Sequence, residues 1–145
     1  MKTNQLLSFD RIFGAVATVA VVAGVIGGFW VLGTPGRQRD IAADRQRLQD
    51  LQSIAFELYG RSQNQPNFEL PTELDTNQRR EDPITNQPYG YERLSASRYE
   101  LCAEFSTDSS TYPLQSTNQE DEFWMHPNGL YCFEFEINEQ PPSFY

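Results

Sequence analysis

A chain of 145 residues with a formal net charge of −9 and a single histidine has room for one small domain and little equipment for acid–base or metal chemistry. The charge is unevenly placed: residues 1–61 carry seven Lys and Arg against five Asp and Glu, and residues 62–145 four against fifteen. An acidic C-terminal part repels phosphate backbones, which argues against nucleic acid and favours solubility, a basic partner or a cation.

Met1 to Arg11 reads as a short cytoplasmic lead. Ile12–Leu32 follows, 21 residues without a charge, Asn, Gln or Pro. As a helix it covers roughly 30 Å, the thickness of a bilayer's hydrocarbon core, so it reads as a transmembrane span. A cleaved signal peptide would have a shorter apolar core and a small-residue cleavage site. Gly33-Thr34-Pro35-Gly36 is a poor one. Phe13 at one end and Phe29 and Trp30 at the other suit the two interfaces. Ala20, Gly24 and Gly28 recur every four residues on one face, the spacing that lets two helices approach closely. Small residues are also common in membrane helices that pack on nothing in particular.

Two signals conflict over orientation. Lys2 and Arg11 precede the span, whereas Arg37, Arg39, Arg45 and Arg47 follow it. The positive-inside rule alone places the C-terminal side in the cytoplasm. Cys102 and Cys132, both in strand-like segments of one small domain, read instead as a disulfide formed in an oxidising compartment. The head is therefore read as extracytoplasmic, with the N-terminus in the cytoplasm. The membrane is a bacterial inner membrane or an energy-converting one.

Beyond the span, residues 33–60 read as a stalk. Thr34 suits a helix cap and Pro35 a first helical turn, with a kink there. Ile41, Leu48, Leu51, Ile54, Ala55 and Leu58 then recur at helical spacing up to Tyr59, with Gly60 as the stop. Residues 61–145 form the head. A polar, proline-punctuated stretch with at most a helical turn around Pro71–Leu74 leads to three strand candidates, Tyr89–Leu94, Arg98–Phe105 and Leu130–Ile137. In the last two, apolar residues alternate strictly with polar ones, and each cysteine shares the parity of the glutamates. A disulfide there lies on the outer face and closes a loop of about 30 residues, for roughly 3–4 kcal/mol on a loop-entropy account. The fold class is α+β: a long N-terminal helix, transmembrane and then amphipathic, packed on a small antiparallel sheet of three or four strands.

This layout resembles type IV pilins and the pseudopilins of type II secretion, and a group of single-pass bacterial proteins of similar shape. The resemblance rests on Gly33-Thr34-Pro35, on Asp44-Arg45-x-Arg47-x-x-Asp50-Leu51-Gln52 and on Leu70-Pro71-x-x-Leu74. It continues in Asp82-Pro83-x-Thr85-x-x-Pro88-Tyr89-x-Tyr91, Tyr99-x-Leu101-Cys102-Ala103-x-Phe105 and Trp124-x-His126-x-x-Gly129-x-x-Cys132-Phe133. The lead lacks the Gly–Phe junction and the fifth-position Glu of a prepilin, so the resemblance implies the shape rather than a fibre.

Chemistry is sparse. His126 lies in a Pro-Asn-Gly turn with no nucleophile motif around it. The cysteines lack the Cys/His quartet of a zinc site, and no cofactor or small-molecule motif is present. The pseudopilin resemblance implies calcium, for which Glu120, Asp121 and Glu122, with Asp108, are the candidates. They lack EF-hand spacing, and an acidic run is ordinarily a solvated loop. Trp124 and Phe123 fit a domain core. These features point to a non-enzymatic, membrane-anchored protein with a pseudopilin-like head acting through protein contacts. The alternative is an accessory single-pass subunit of a larger secretory, respiratory or photosynthetic complex. In both, the expected partners are the bilayer and other membrane-protein subunits, met through the helix and the acidic head.

Overall fold

A computed structural model describes residues 3–32, 34–75, 80–112 and 122–143. The chain divides into two units, Met1–Gln38 and Arg39–Tyr145.

In the first unit, α1 runs from Thr3 to Leu32, so the lead is itself helical from Thr3 onward. From Arg11 to Trp30 every residue but Gly28 is exposed, including Phe13 at 68 % and Trp30 at 87 %. An apolar helix with no covered face is suited to lipid rather than water, and α1 is long and apolar enough to cross a membrane. Thr34 caps the next helix: its carbonyl accepts from Gln38 N at 3.1 Å and its hydroxyl from Arg37 N at 3.4 Å. The kink expected near Pro35 turns on the junction at Gly33, which lies outside the described residues.

Helix α2 spans Pro35–Asn64. It passes through Gly60 instead of stopping there. Gly60 keeps a negative φ, and side chains secure the extra turn. Ser62 Oγ donates to Tyr59 O at 2.8 Å and Asn64 Nδ2 to Gly60 O at 2.6 Å, while Arg61 pairs with Glu57 at 2.9 Å. A glycine ends a helix only when its backbone turns left-handed, and here it does not.

The second unit is a helix packed on a three-stranded antiparallel meander, β1 (Gly90–Arg93), β2 (Arg98–Phe105) and β3 (Gly129–Glu136), in the order β1-β2-β3. This is an α+β fold with three strands. Register places Tyr99 opposite Phe135, Leu101 opposite Phe133 and Cys102 opposite Cys132. One sheet face therefore carries Tyr99, Leu101, Ala103, Phe105, Phe133 and Phe135, which pack with Leu48, Leu51, Ile54, Ala55 and Leu58 of α2 into one core. Trp124 is 2 % exposed and closes that core from a short helical turn at residues 122–124, its ring 5.0 Å from Phe133.

The stretch around Pro71–Leu74 is a bend rather than a helical turn. Leu70 and Leu74 are buried, and the backbone between them is claimed by the sheet: Tyr91 Oη donates to Pro71 O at 2.7 Å and Arg93 Nη1 to Leu70 O at 2.8 Å. Carbonyls pulled outward in this way cannot serve a helix. A 3-10 turn at Ser109–Thr111, capped by Asp108, interrupts the long β2–β3 connection. Gly129 opens β3 at φ 101°, a conformation that side chains resist.

Leu101 is fully buried and Leu130 is 73 % exposed. Leu101→Ala should lower head stability by about 3 kcal/mol, whereas Leu130→Ala should change it by no more than about 0.5 kcal/mol. Urea denaturation of the detergent-solubilised protein, followed by tryptophan fluorescence, checks both.

Candidate functional site

A dense cluster of ionisable side chains lies at the N-terminal end of the α2 stripe. Asp44 and Arg47 fall on the face that carries Ile41, Leu48 and Leu51, and both are buried, at 0 % and 2 % exposure. Arg47 Nη1 donates to Asp44 Oδ1 at 2.6 Å and to Ser106 Oγ at 2.8 Å. Its Nε and Nη2 both engage the buried carboxylate of Asp82, a two-pronged pairing with Nη2–Oδ1 at 3.2 Å. Asp44 also accepts from Ser106 N (2.9 Å), Thr107 N (2.8 Å) and Thr107 Oγ1 (2.6 Å), which ties α2 to the end of β2. Asp82 Oδ1 accepts from Ile84 N and Thr85 N, both at 2.9 Å, and so shapes the turn before β1. One helical turn on, the hydroxyl of Tyr89 donates to Asp50 at 3.0 Å, and Gln46 donates to the same carboxylate at 3.1 Å.

Burial opposes charge on Asp82, but the Arg47 guanidinium and the two backbone N–H groups outweigh it and hold the carboxyl at about 2. Burial likewise works against the charge on Arg47, and its hydrogen bonds to Asp82 and Asp44 more than restore it. For Tyr89, burial and then the Asp50 charge push the phenol well above its ordinary range.

His126 adjoins this knot. It is 3 % exposed, stacks on Phe105 at 3.8 Å between ring centroids and meets Tyr112 Oη through Nε2 at 3.4 Å. Tyr112 in turn reaches Thr107 Oγ1 at 2.9 Å, so a chain of polar contacts runs from the imidazole to Asp44. It contains no nucleophile placed for attack. The neighbouring Ser109 hydroxyl bonds the His126 backbone, accepting from N at 2.9 Å and donating to O at 3.1 Å. Burial lowers the imidazole's proton affinity, so the neutral ring is favoured. A shallow open depression lies outside, lined by Asp108, Ser109, Ser110, Met125, His126 and Pro127.

The opposite sheet face is polar. Cys102 and Cys132 form a disulfide between directly opposed residues of β2 and β3. Beside it, register sets Glu92, Glu100 and Glu134 in one row across all three strands. Arg98 pairs with Glu134 at 2.9 Å, with both side chains exposed.

Of the residues singled out from sequence, Ala20, Gly24 and Gly28 lie on α1, where a Cβ added at Gly24 or Gly28 would meet nothing within 4 Å. Glu120 and Asp121 lie outside the described residues, and Glu122 is exposed at the start of the 122–124 turn. Trp124 is core and Phe123 half-buried. Sequence reasoning missed the knot. Its signal lay in the spacing, because Asp44 takes the place in the series 41, 48, 51, 55 and 58 where an apolar residue would complete the stripe. No protein family, curated protein or solved structure matches this chain.

Arg47→Met leaves two buried carboxylates without their cation and should destabilise the head by about 3–5 kcal/mol. Denaturation of Arg47→Met beside wild type measures it. Acid should act in two steps. The folded state holds His126 neutral, so stability is full above the ordinary 6.5 and is lost as pH falls through the lower folded value. Asp82 adds a second loss, of about 2 kcal/mol, between 3.8 and about 2. Thermal melts from pH 8 to pH 2 should show both, and His126→Gln should remove the first.

Proposed function

We propose that this chain is a single-pass membrane protein whose acidic, pilin-like head lies on the extracytoplasmic side and acts through protein contacts rather than catalysis. The observation that carries this reading is the contrast between α1, whose apolar residues are exposed on every side, and a head that completes its own core. A span that the head does not need for its stability is available to lipid and to other membrane helices. Ala20, Gly24 and Gly28 form a face of small residues on which another backbone can come close. The buried carboxylates and guanidinium of the head serve its own architecture: Asp44, Arg47, Asp50 and Asp82 all bond within it. A disulfide persists in an oxidising compartment, which supports the outward orientation against the arginine count.

The partners are then other membrane subunits, reached through α1 and through the acidic outer surface. Gentle-detergent capture of the tagged full-length chain from its native membrane, with mass spectrometry of what is retained, tests this. The expected result is stoichiometric retention of membrane proteins or of further copies, reduced at least tenfold by Gly24→Ile with Gly28→Ile. Secretion or pilus components would favour the pseudopilin reading, and a single large complex the accessory-subunit reading. A chain that emerges as a monomer with nothing bound would overturn both.

A further inference from the structure

We propose that the open edge of β3 is a docking strand, which takes an extended, basic segment of a partner protein as a fourth strand of the sheet. This rests on the reading that the head acts through protein contacts, and it names the surface and the partner's chemistry. Two bonds fix which backbone groups point where. Ile137 N donates to Ser97 O at 2.8 Å, and Leu94 N donates to Arg98 O at 3.0 Å. Carried along the antiparallel register, they put the β3–β2 bonds on Gly129, Tyr131, Phe133 and Phe135. The 4.0 Å Cα separation of Cys102 and Cys132 agrees, because such close approach marks a pair that exchanges no backbone bonds. The N–H and C=O groups of Leu130, Cys132 and Glu134 therefore face away from β2.

Among the described residues nothing bonds to these groups, whereas the Glu136 carbonyl is taken by Glu139 N at 3.0 Å. An open edge is a template for another strand, and folds commonly blunt it with a lysine, a proline, a bulge or a short strand. β3 has eight residues in unbroken register and contains neither lysine nor proline. The other edge differs. β1 has only four residues, and its Tyr91 and Arg93 side chains hold the Pro71 and Leu70 carbonyls.

Side chains select the occupant. Leu130, Glu134 and Glu136 are exposed on the outer sheet face, and half-buried Tyr131 lies on the other. Opposite charges across neighbouring strands stabilise a sheet, and like charges destabilise it. A second copy would bring another acidic head to this edge, since residues 62–145 carry four Lys and Arg against fifteen Asp and Glu. The complementary occupant sets Lys or Arg beside Glu134 and Glu136, and an apolar residue beside Leu130. Main-chain bonds then supply affinity, and alternate side chains choose the partner.

The test uses full-length protein in a non-ionic detergent and a capped peptide of about nine residues that alternates Lys and Val. A second peptide carries Glu for Lys, and a third keeps the lysines on a fully N-methylated backbone. Amide hydrogen exchange, read by NMR, should slow at least tenfold at Leu130, Cys132 and Glu134 when the first peptide is added. The other two peptides should bind at least tenfold more weakly. Glu134→Lys with Glu136→Lys should reverse the preference between the Lys and Glu peptides. Equal binding by the N-methylated peptide would mean attraction of charge alone, and would overturn the proposal. So would protection confined to β1, or a dimer in which the three β3 amides are protected before any peptide is added. Failure of all three peptides to bind would also remove the docking edge, while membrane proteins retained in the capture experiment would leave the proposed function standing.

Discussion

The head depends on the placement of one guanidinium. Arg47 lies on the apolar side of α2, where a cation is costly unless every donor is met, and it is met from three directions: Asp44 on its own helix, Asp82 before β1 and Ser106 after β2. Hydrophobic contact between α2 and the sheet is non-directional and would tolerate the helix sliding along its axis. The knot does not tolerate this, because a shift of one residue would separate Arg47 from the Asp82 fork and Asp44 from the Ser106 and Thr107 amides. Leucines supply most of the driving force, and the charges select one alignment.

That alignment organises the rest. Asp82, held by Arg47, uses its remaining lone pairs to shape the turn at Ile84 and Thr85, which delivers Tyr89 to Asp50 and Gly90 to the sheet. Asp44 fixes the start of the β2–β3 connection, and His126 returns to the same place to stack on Phe105. Segments that look like loose polar loops in the sequence are therefore tied to α2 through Asp82, Tyr89, Ser106 and Thr107.

The elements with a strong period were legible. The alternation of β2 and β3 and the apolar spacing of α2 reflect faces that must be buried, and that pressure acts residue by residue. The end of α2 was not, because the residues that extend it past Gly60 act through Ser62 and Asn64 side chains, one of which also reaches Ile137 O at 3.2 Å from the far end of the chain. The bend at Pro71–Leu74 likewise depends on Tyr91 and Arg93, some twenty residues away. The knot was visible as a set of motif pieces, Asp44, Arg47, Asp82 and Thr85, but nothing local states that they meet. Charged residues on a helix are ordinarily solvated, and only the partner side chains show that these are not.

The disulfide joins two neighbouring strands of the meander and no strand to α2. The covalent staple and the polar knot therefore resist different loads. A pull applied along the chain from the N-terminal side reaches the sheet through Asp44 and Arg47, contacts that reform once broken. The β2–β3 pair behind them is held by a bond that does not give. Under tension the head should yield in shear between helix and sheet and recover its register afterwards, with the meander surviving as a preformed template.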